Sequence, residues 1–221
     1  MSTADGDRGA DAGIASRCPT GPHPRGVPMS TAAATPVRTG QVLADLIPAS
    51  RVRDAALVLG GAALTGVAAQ IAVPVPGSPV PVTGQTFAAL LVGTALGAGR
   101  GFLSLALYAV AGLAGMPWFA SATSGVAPSF GYILGMILAS TVVGALARRG
   151  ADRSVWRMAG TMLVGEAIIY AIGVPYLALA TGMSAAAAIA AGFTPFLIGD
   201  ALKAALAMGV LPTAWKFANK R

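Results

Sequence analysis

Long apolar stretches run through most of this chain, and short segments rich in glycine, proline or arginine separate them. A helix of about 20 apolar residues is long enough to cross the hydrocarbon core of a bilayer. The pattern predicts six membrane-spanning helices, at about 54–73, 84–98, 101–116, 130–147, 157–179 and 193–214. The expected fold class is therefore all-α, in a polytopic membrane protein.

The count of six depends on the second and third spans, which are short. Only the segment from Gly97 to Gly101 separates them, so a single kinked helix, with five spans in total, is the alternative. The basic residues favour six. Arg51 and Arg53 precede the first span, and Arg100 lies between the second and third. Between the fourth and fifth spans lie Arg148, Arg149, Arg153 and Arg157, and after the last come Lys216, Lys220 and Arg221.

With six spans, every basic segment lies on one side of the membrane. The connections at about 74–83, 117–129 and 180–192 contain no lysine or arginine. The positive-inside rule places the basic side, and with it both termini, in the cytoplasm. The formal net charge of +7 is then explained by topology and by contact with the membrane-lipid surface. Nucleic-acid binding is not expected.

The first fifty residues differ from the rest of the chain. Residues 1–50 are rich in glycine, proline and polar side chains, which predicts a disordered cytoplasmic tail before a membrane domain at 51–221. Met29 is an alternative start. The only cysteine, Cys18, and the only histidine, His23, lie in this tail, which excludes a disulfide or a His/Cys metal site in the membrane domain. The chain also lacks a glycine-rich nucleotide loop, so neither cofactor nor ATP binding is expected.

Two charged residues, Asp200 and Lys203, interrupt the last apolar stretch. At three residues apart they share one face of a helix. A charged side chain near the bilayer centre costs about 2.5–3.5 kcal/mol on insertion scales, so such residues usually face a partner or a polar cavity. The pair predicts a polar site inside the membrane domain. A buried ion pair that only holds the last helix in place is the alternative.

The connection before the second span carries alternating prolines, which forbid a helix and favour an extended segment. It ends in Thr83, Gln85 and Thr86, at the start of the next helix. The plain interpretation is a helix start capped by Thr83. The other interpretation is a group of hydrogen-bonding side chains at the mouth of a binding cavity.

The next outer connection concentrates aromatic residues around glycines. Trp118 and Phe119 lie at its start, and Phe130 and Tyr132 follow it. Interfacial aromatic residues often anchor a helix at headgroup depth, which is the interpretation favoured for Trp118 alone. In a connection without charges, however, the group as a whole indicates a pocket for a flat, weakly polar ligand.

In the fifth span, Glu166 and Tyr170 lie one turn apart on the same face. Both are candidate ligand contacts. For Glu166, which lies nearer the cytoplasmic half, a structural hydrogen bond between helices is the favoured interpretation.

Taken together and in order, these segments resemble BioY, the substrate-binding S component of energy-coupling-factor (ECF) biotin transporters. The resemblance covers about 54–215 and is carried by Pro79-Val-Pro-Val-Thr-Gly-Gln-Thr-Phe87, Gly115-Met-Pro-Trp-Phe119, Pro128 through Gly135, Gly165-Glu166 with Tyr170, and Gly199-Asp200 with Lys203. It implies a six-helix S component that binds biotin and docks on a transmembrane T subunit carrying two ATPases.

The resemblance also implies roles for the candidate residues. Asp200 would accept from the ureido N–H groups of biotin, and Lys203 would donate to its carboxylate or to a carbonyl. The remaining expected contacts are Thr83, Gln85, Thr86, Phe130, Trp118, Tyr132, Glu166 and Tyr170. Small residues one turn apart on the first span would form the face that meets the T subunit, namely Ala56, Gly60, Ala62 and Gly66.

Two other classes of function remain open from the sequence. A solitary or proton-coupled carrier would use the same acidic residues as a relay, although the chain shows no inverted repeat of the kind found in many carriers. An intramembrane enzyme is not expected, because the acidic and basic residues show no catalytic spacing and no metal ligands accompany them.

Overall fold

The computed structural model of the chain describes residues 40–218. The expectations for residues 1–39, which include the disordered tail, the alternative start at Met29 and the positions of Cys18 and His23, lie outside the described residues.

The described part is helical, apart from a two-stranded ribbon, and this confirms the all-α fold class. Four segments are long and apolar enough to cross a membrane: α1, α4, α5, and α6 with α7 taken together. Two shorter apolar helices, α2 and α3, complete the six apolar segments that were predicted. The helices are α1 (Arg51–Gln70), α2 (Gln85–Leu96), α3 (Ala98–Leu113), α4 (Phe130–Arg148), α5 (Val155–Thr181), α6 (Ala185–Gly192) and α7 (Leu197–Ala218), and the strands are β1 (Ala72–Val73) and β2 (Val82–Thr83).

α2 and α3 are two separate helices that pack against each other. The chain reverses at Gly97, whose φ of 83° lies in the left-handed region that glycine adopts without strain. Beyond the turn, a Cβ on Gly101 would lie 3.0 Å from the Cα of Gly93, so the two backbones are in close contact. The alternative of one kinked helix, and with it the five-span count, is therefore wrong.

α4 lies at the centre of the bundle and packs against α2, α3 and α5. Close approach depends on glycine. A Cβ on Gly93 of α2 would collide with the backbone of Ser140 in α4, and one on Gly144 would collide with the α2–α3 turn. Small residues at helix contacts let backbones approach closely inside a membrane, where packing replaces the hydrophobic effect as the driving force.

Charged residues gather at one end of the bundle. Arg100, at the start of α3, lies 2.6 Å from Asp45 and 3.4 Å from Asp54 at the start of α1. Burial would raise the pKa of Asp45, but the hydrogen bond and the charge of Arg100 outweigh it and the pKa is lowered. Asp45 belongs to a 3₁₀ turn, Leu43–Leu46, within the stretch expected to be tail, and the neighbouring Val42 is completely buried.

The α4–α5 connection and the end of α7 meet at this same end. The indole N–H of Trp215 donates to the Oδ2 atom of the fully buried Asp152, at 2.5 Å. The guanidinium of Arg153 lies 4.8 Å from the centre of the Trp215 ring. Burial raises the pKa of Asp152. The structure thus brings the basic segments between 51 and 216 to one end of the bundle, as their alternation predicted.

The opposite end is built from connections without charge. The proline-rich segment folds back as an antiparallel ribbon, in which Ala72 pairs with Thr83 and Val73 pairs with Val82. The N–H of Gly84 donates to the carbonyl of Ile71 at 3.0 Å. This agrees with an extended, non-helical segment, and it places the start of α2 beside the end of α1.

Candidate ligand-binding site

A cavity lies at the uncharged end of the bundle, below the β1–β2 ribbon. Its empty space amounts to about 490 Å³, part of which is open to the surroundings. Residues from the ribbon, from α2, α4, α5 and α7, and from the two irregular segments beside them line it, namely Val80, Pro81, Thr83, Gln85, Thr86, Phe119, Ala120, Ser129, Tyr132, Ile133, Met136, Tyr170, Phe196 and Lys203. Six of the predicted site residues are therefore brought to one cavity.

Lys203 joins three helices at the edge of this cavity. Its Nζ atom donates to the hydroxyl of Thr86 in α2 at 2.8 Å and to the Oδ1 atom of Asp200 at 3.0 Å. The other oxygen of Asp200 accepts from the hydroxyl of Tyr170 in α5. The resulting hydrogen-bonded chain crosses from α2 through α7 to α5.

The ion pair is well shielded, since the side chain of Asp200 is 9% exposed and that of Lys203 is 14% exposed. An ammonium group has three N–H donors, and these two bonds use two of them. Both oxygens of Asp200 have partners, and Asp200 does not line the cavity. Lys203 lines it and has one donor left. The structure therefore contains the buried ion pair expected as an alternative, with Lys203 as the member that faces the cavity.

Gln85 supplies a second donor. Its side chain is buried, with 4% exposure, and its Nε2 group has no hydrogen-bond partner among the described residues. Leaving a buried donor unpaired costs about 1–3 kcal/mol, so such groups usually have a partner. Gln85 lines the cavity, where an acceptor atom of a ligand would form the missing hydrogen bond with its Nε2 group.

Thr83 lies on the ribbon side of the cavity. Its hydroxyl oxygen accepts the N–H of Gln85, the first residue of α2, at 3.4 Å. The N-cap of α2 is Gly84, however, which has no side-chain cap, so the interpretation of Thr83 as the capping residue is wrong. Thr83 ends β2 and lines the cavity.

Tyr132 and Phe196 form an aromatic wall. Their rings are stacked, with centroids 6.4 Å apart and an interplanar angle of 22°. The ring of Tyr132 lies against Gly173 of α5, where a Cβ would collide with it. Its hydroxyl donates to the carbonyl of Gly192 at 2.8 Å. Because that donor is used, Tyr132 offers a ligand only an aromatic face and an acceptor oxygen.

Two of the predicted aromatic contacts do not reach the cavity. Trp118 lies against Gly66 of α1, and its indole N–H donates to the carbonyl of Tyr108 at 3.0 Å. Phe130 packs between Phe119 and Tyr176. Phe119, which contacts Phe130 and Tyr108, lines the cavity instead of them.

Glu166 lies behind the site. It borders a second, largely apolar cavity between α5, α6 and α7, together with Asp200 and Tyr170; the empty space there is about 1380 Å³, part of which is open to the surroundings. Its Oε2 atom is buried without a hydrogen-bond partner among the described residues. The structure thus places Glu166 near the charged pair but does not bring it to the first cavity.

Several cavity residues were not anticipated. They are mostly apolar, as Val80, Pro81, Ala120, Ser129, Ile133, Met136 and Phe196. Phe119 belongs to the aromatic group that predicted a pocket. Met136 lies four residues after Tyr132 on the same face of α4, so helical periodicity from Tyr132 would have pointed to it. Ile133, which directly follows Tyr132, lies beside that face. Among residues 40–218, no group of three or more histidine, cysteine, aspartate or glutamate side chains is placed to hold a metal ion.

Comparison with known families identifies the chain. The model of the BioY family matches residues 37–220, which is most of the sequence. The chain belongs to the BioY family. This membership confirms the resemblance seen in the sequence, and with the apolar helices it makes the chain a multi-pass membrane protein.

Curated BioY relatives come from both archaea and bacteria. The probable biotin transporter BioY of Pyrococcus horikoshii is 37% identical over 162 residues, which are 72% of this chain and 93% of that protein. Biotin transporter BioY2 of Lactococcus lactis is 35% identical, over 68% of this chain and 83% of the relative. Biotin transporter BioY of Thermotoga maritima is 37% identical, over 66% and 85% respectively.

A solved structure shares the BioY fold. It is described as the S-component for biotin from an ECF-type ABC transporter, and it aligns with a TM-score of 0.68 over 76% of this chain and 95% of that one. At 18% identity, this likeness concerns the fold alone.

The buried pair predicts a specific pattern of stability. Lys203→Met should lower the free energy of unfolding by about 3–5 kcal/mol, because it leaves the charge of Asp200 buried without its partner. Combining it with Asp200→Asn should recover much of that loss, since no charge is then left alone. Melting temperatures in detergent would measure this, with the exposed Lys216→Met as control. A double variant as unstable as the worse single variant would contradict it.

Proposed function

We propose that this chain is the membrane-embedded biotin-binding S component of an ECF-type transporter. The observation that carries the proposal is the cavity in which the ammonium of Lys203 and the unpaired amide of Gln85 meet an otherwise apolar and aromatic lining. The names of the relatives, which are biotin transporters, and the shared S-component fold support the same ligand and a transporter rather than an enzyme.

The chemistry of biotin suits this lining. Biotin has an ureido ring with two N–H donors and one carbonyl, an apolar thiophane ring and valeryl chain, and a carboxylate. Ile133, Met136 and Phe196 offer apolar surface for the rings and the chain.

Lys203 and Gln85 define the polar end of the site. Both present free donors, so together they suit an acceptor oxygen rather than an N–H group. The two acceptors that biotin offers are its carboxylate and its ureido carbonyl. A cationic donor favours the anionic carboxylate, because a charge-assisted hydrogen bond is about twice as strong as a neutral one.

Calorimetry on the purified protein tests the ligand. Biotin should give saturable heat, whereas thiamin and riboflavin should give none. Lys203→Met should weaken biotin binding by about 1.5–3 kcal/mol, the scale of a hydrogen bond to a charged group, which is roughly a tenfold to hundredfold loss. Saturable heat with another vitamin and none with biotin would refute the assignment.

A biotin amide separates the two orientations in the same experiment. If Lys203 meets the carboxylate, the amide should be far less sensitive than biotin to Lys203→Met. If it meets the ureido carbonyl, acid and amide should lose affinity alike. Lys216→Met serves as the control, since that lysine is exposed at the opposite end. Unchanged affinity in a well-folded Lys203→Met protein would remove Lys203 from the site.

We further propose that both chain ends lie in the cytoplasm and that the cavity opens to the outside. The clustering of basic residues at the end opposite the cavity supports this orientation.

Cysteine labelling in intact cells tests the orientation. In a Cys18→Ser background, single cysteines at Ser78 and Ser124 should react with an impermeant thiol reagent, and one at Arg149 should react only after the cells are opened. Ser124 and Arg149 are both exposed, so access and not burial decides the result. Labelling of Arg149→Cys in intact cells would reverse the topology.

Energy for uptake would come from a T subunit and two ATPases that dock on α1. The structure corrects the expected docking residues. Ala62 is 1% exposed and Gly66 lies against the ring of Trp118. Both residues therefore pack inside the domain and do not belong to the proposed docking face. Ala56 and Gly60 are exposed and border an apolar cavity between α1, α2 and α7. The proposed face therefore consists of Ala56, Gly60 and the neighbouring exposed Ala63.

Tryptophan substitutions test this face. Ala63→Trp should reduce co-purification of the T subunit and ATPases while leaving biotin binding intact, because the residue points away from the domain. The matched control is Leu138→Trp, at a lipid-exposed position of α4. Unchanged co-purification in Ala63→Trp and Gly60→Trp would remove the face. Full uptake without the ATPases would favour the solitary or proton-coupled carrier instead, for which Glu166 beside Asp200 is the relevant pair.

A further inference from the structure

Gln70, the last residue of α1, is bound to a distant part of the chain by both ends of its amide. Its Nε2 group shares its two N–H donors among three carbonyl oxygens, at 3.0 Å from that of Gly66 in α1 itself, 3.1 Å from that of Trp118 and 3.2 Å from that of Phe119. Its Oε1 atom accepts the N–H of Ala122 at 3.0 Å. One side chain therefore holds three backbone groups of the segment 118–122, nearly fifty residues away.

The segment that Gln70 holds needs an external support. Ser121 and Ala122 have φ values of 58° and 57°, in the left-handed region that residues other than glycine rarely adopt. Such backbone persists where surrounding contacts over-determine it. Here the contacts are those of Gln70, the short bridge between Phe119 and Thr123, and the hydroxyl of Thr123, which donates to the carbonyl of Ala120 at 2.9 Å.

The supported segment forms part of the ligand cavity. Phe119 and Ala120 both line it, and Phe119 is 3% exposed. The ribbon side of the same cavity also begins at the end of α1, because Ile71 accepts the N–H of Gly84 and Ala72 pairs with Thr83. Two walls of the cavity are thus attached to the last turn of one helix.

We propose that Gln70 is a positioning residue that holds the segment 118–122 against α1 as a wall of the ligand cavity. The inference rests on the proposed biotin site and adds a residue that neither lines the cavity nor contacts the ligand. It also connects the cavity wall to α1, the helix proposed to dock on the T subunit, so that a displacement of α1 would move this wall directly.

Hydrogen–deuterium exchange tests the geometry without any ligand. In the wild type, the amide of Ala122 should exchange slowly because its N–H is hydrogen-bonded to the Oε1 atom of Gln70. Gln70→Met, which keeps the length of the side chain and removes both hydrogen-bonding groups, should speed exchange across 118–122 and leave α4 unchanged. Val67→Ala is the matched control, on an exposed position of the same helix. Unchanged exchange in Gln70→Met would overturn the proposal.

The rate of biotin dissociation tests the role. Gln70→Met should release biotin about three- to tenfold faster, the scale of one or two neutral hydrogen bonds. Gln70→Lys keeps donors for the carbonyls of Trp118 and Phe119, so it should restore most of the wild-type rate although the Ala122 amide still exchanges fast. A merely structural role predicts a lower melting temperature in both variants and no rescue by lysine.

The outcomes separate the two proposals. Faster exchange and faster release in Gln70→Met, with rescue in Gln70→Lys, support the positioning role. Faster exchange with an unchanged release rate overturns it. A wild-type protein that binds no biotin contradicts the proposed function, whereas the exchange experiment still decides whether Gln70 holds the segment.

Discussion

An ammonium group among apolar helices stays charged only if its surroundings supply partners, and much of the site follows from how Lys203 finds them. Asp200 balances the charge from the same helix, Thr86 accepts from α2, and Tyr170 completes the shell of Asp200 from α5. These bonds require α2, α5 and α7 to meet at one level. The consequence of that arrangement is that Lys203 keeps one unused N–H donor at the edge of the cavity.

Glycine makes the meeting of the helices possible on the other side of the site. α4 approaches α2 so closely that Gly93 and Gly144 have no room for a side chain. Gly173 of α5 likewise receives the ring of Tyr132, which lets the aromatic wall pack directly against α5. The polar network and the glycine contacts therefore constrain each other, because a shift of α4 or α5 would change both.

The sequence predicts those features that depend on local chemistry. A charged pair in an apolar helix stands out by its solvation cost, which is why Asp200 and Lys203 are identifiable without a structure. The sequence does not predict that Phe119 lines the cavity and Trp118 does not. Trp118 packs against Gly66 of α1 and donates to the carbonyl of Tyr108, and these contacts depend on how the helices pack. Small residues on α1 are equally ambiguous, since a face that meets its own bundle looks like one that meets a partner.

The unequal lengths of the outer helices have a consequence for the surrounding lipid. α3 has 16 residues, or about 24 Å at 1.5 Å per residue, whereas α5 has 27 residues, or about 40 Å. A hydrocarbon layer is about 30 Å thick. One flank of the domain is too short for it and the other is too long, so the bilayer must thin beside α3, whereas α5 must tilt or extend beyond the hydrocarbon layer. An upright position in a membrane of uniform thickness would leave both flanks mismatched.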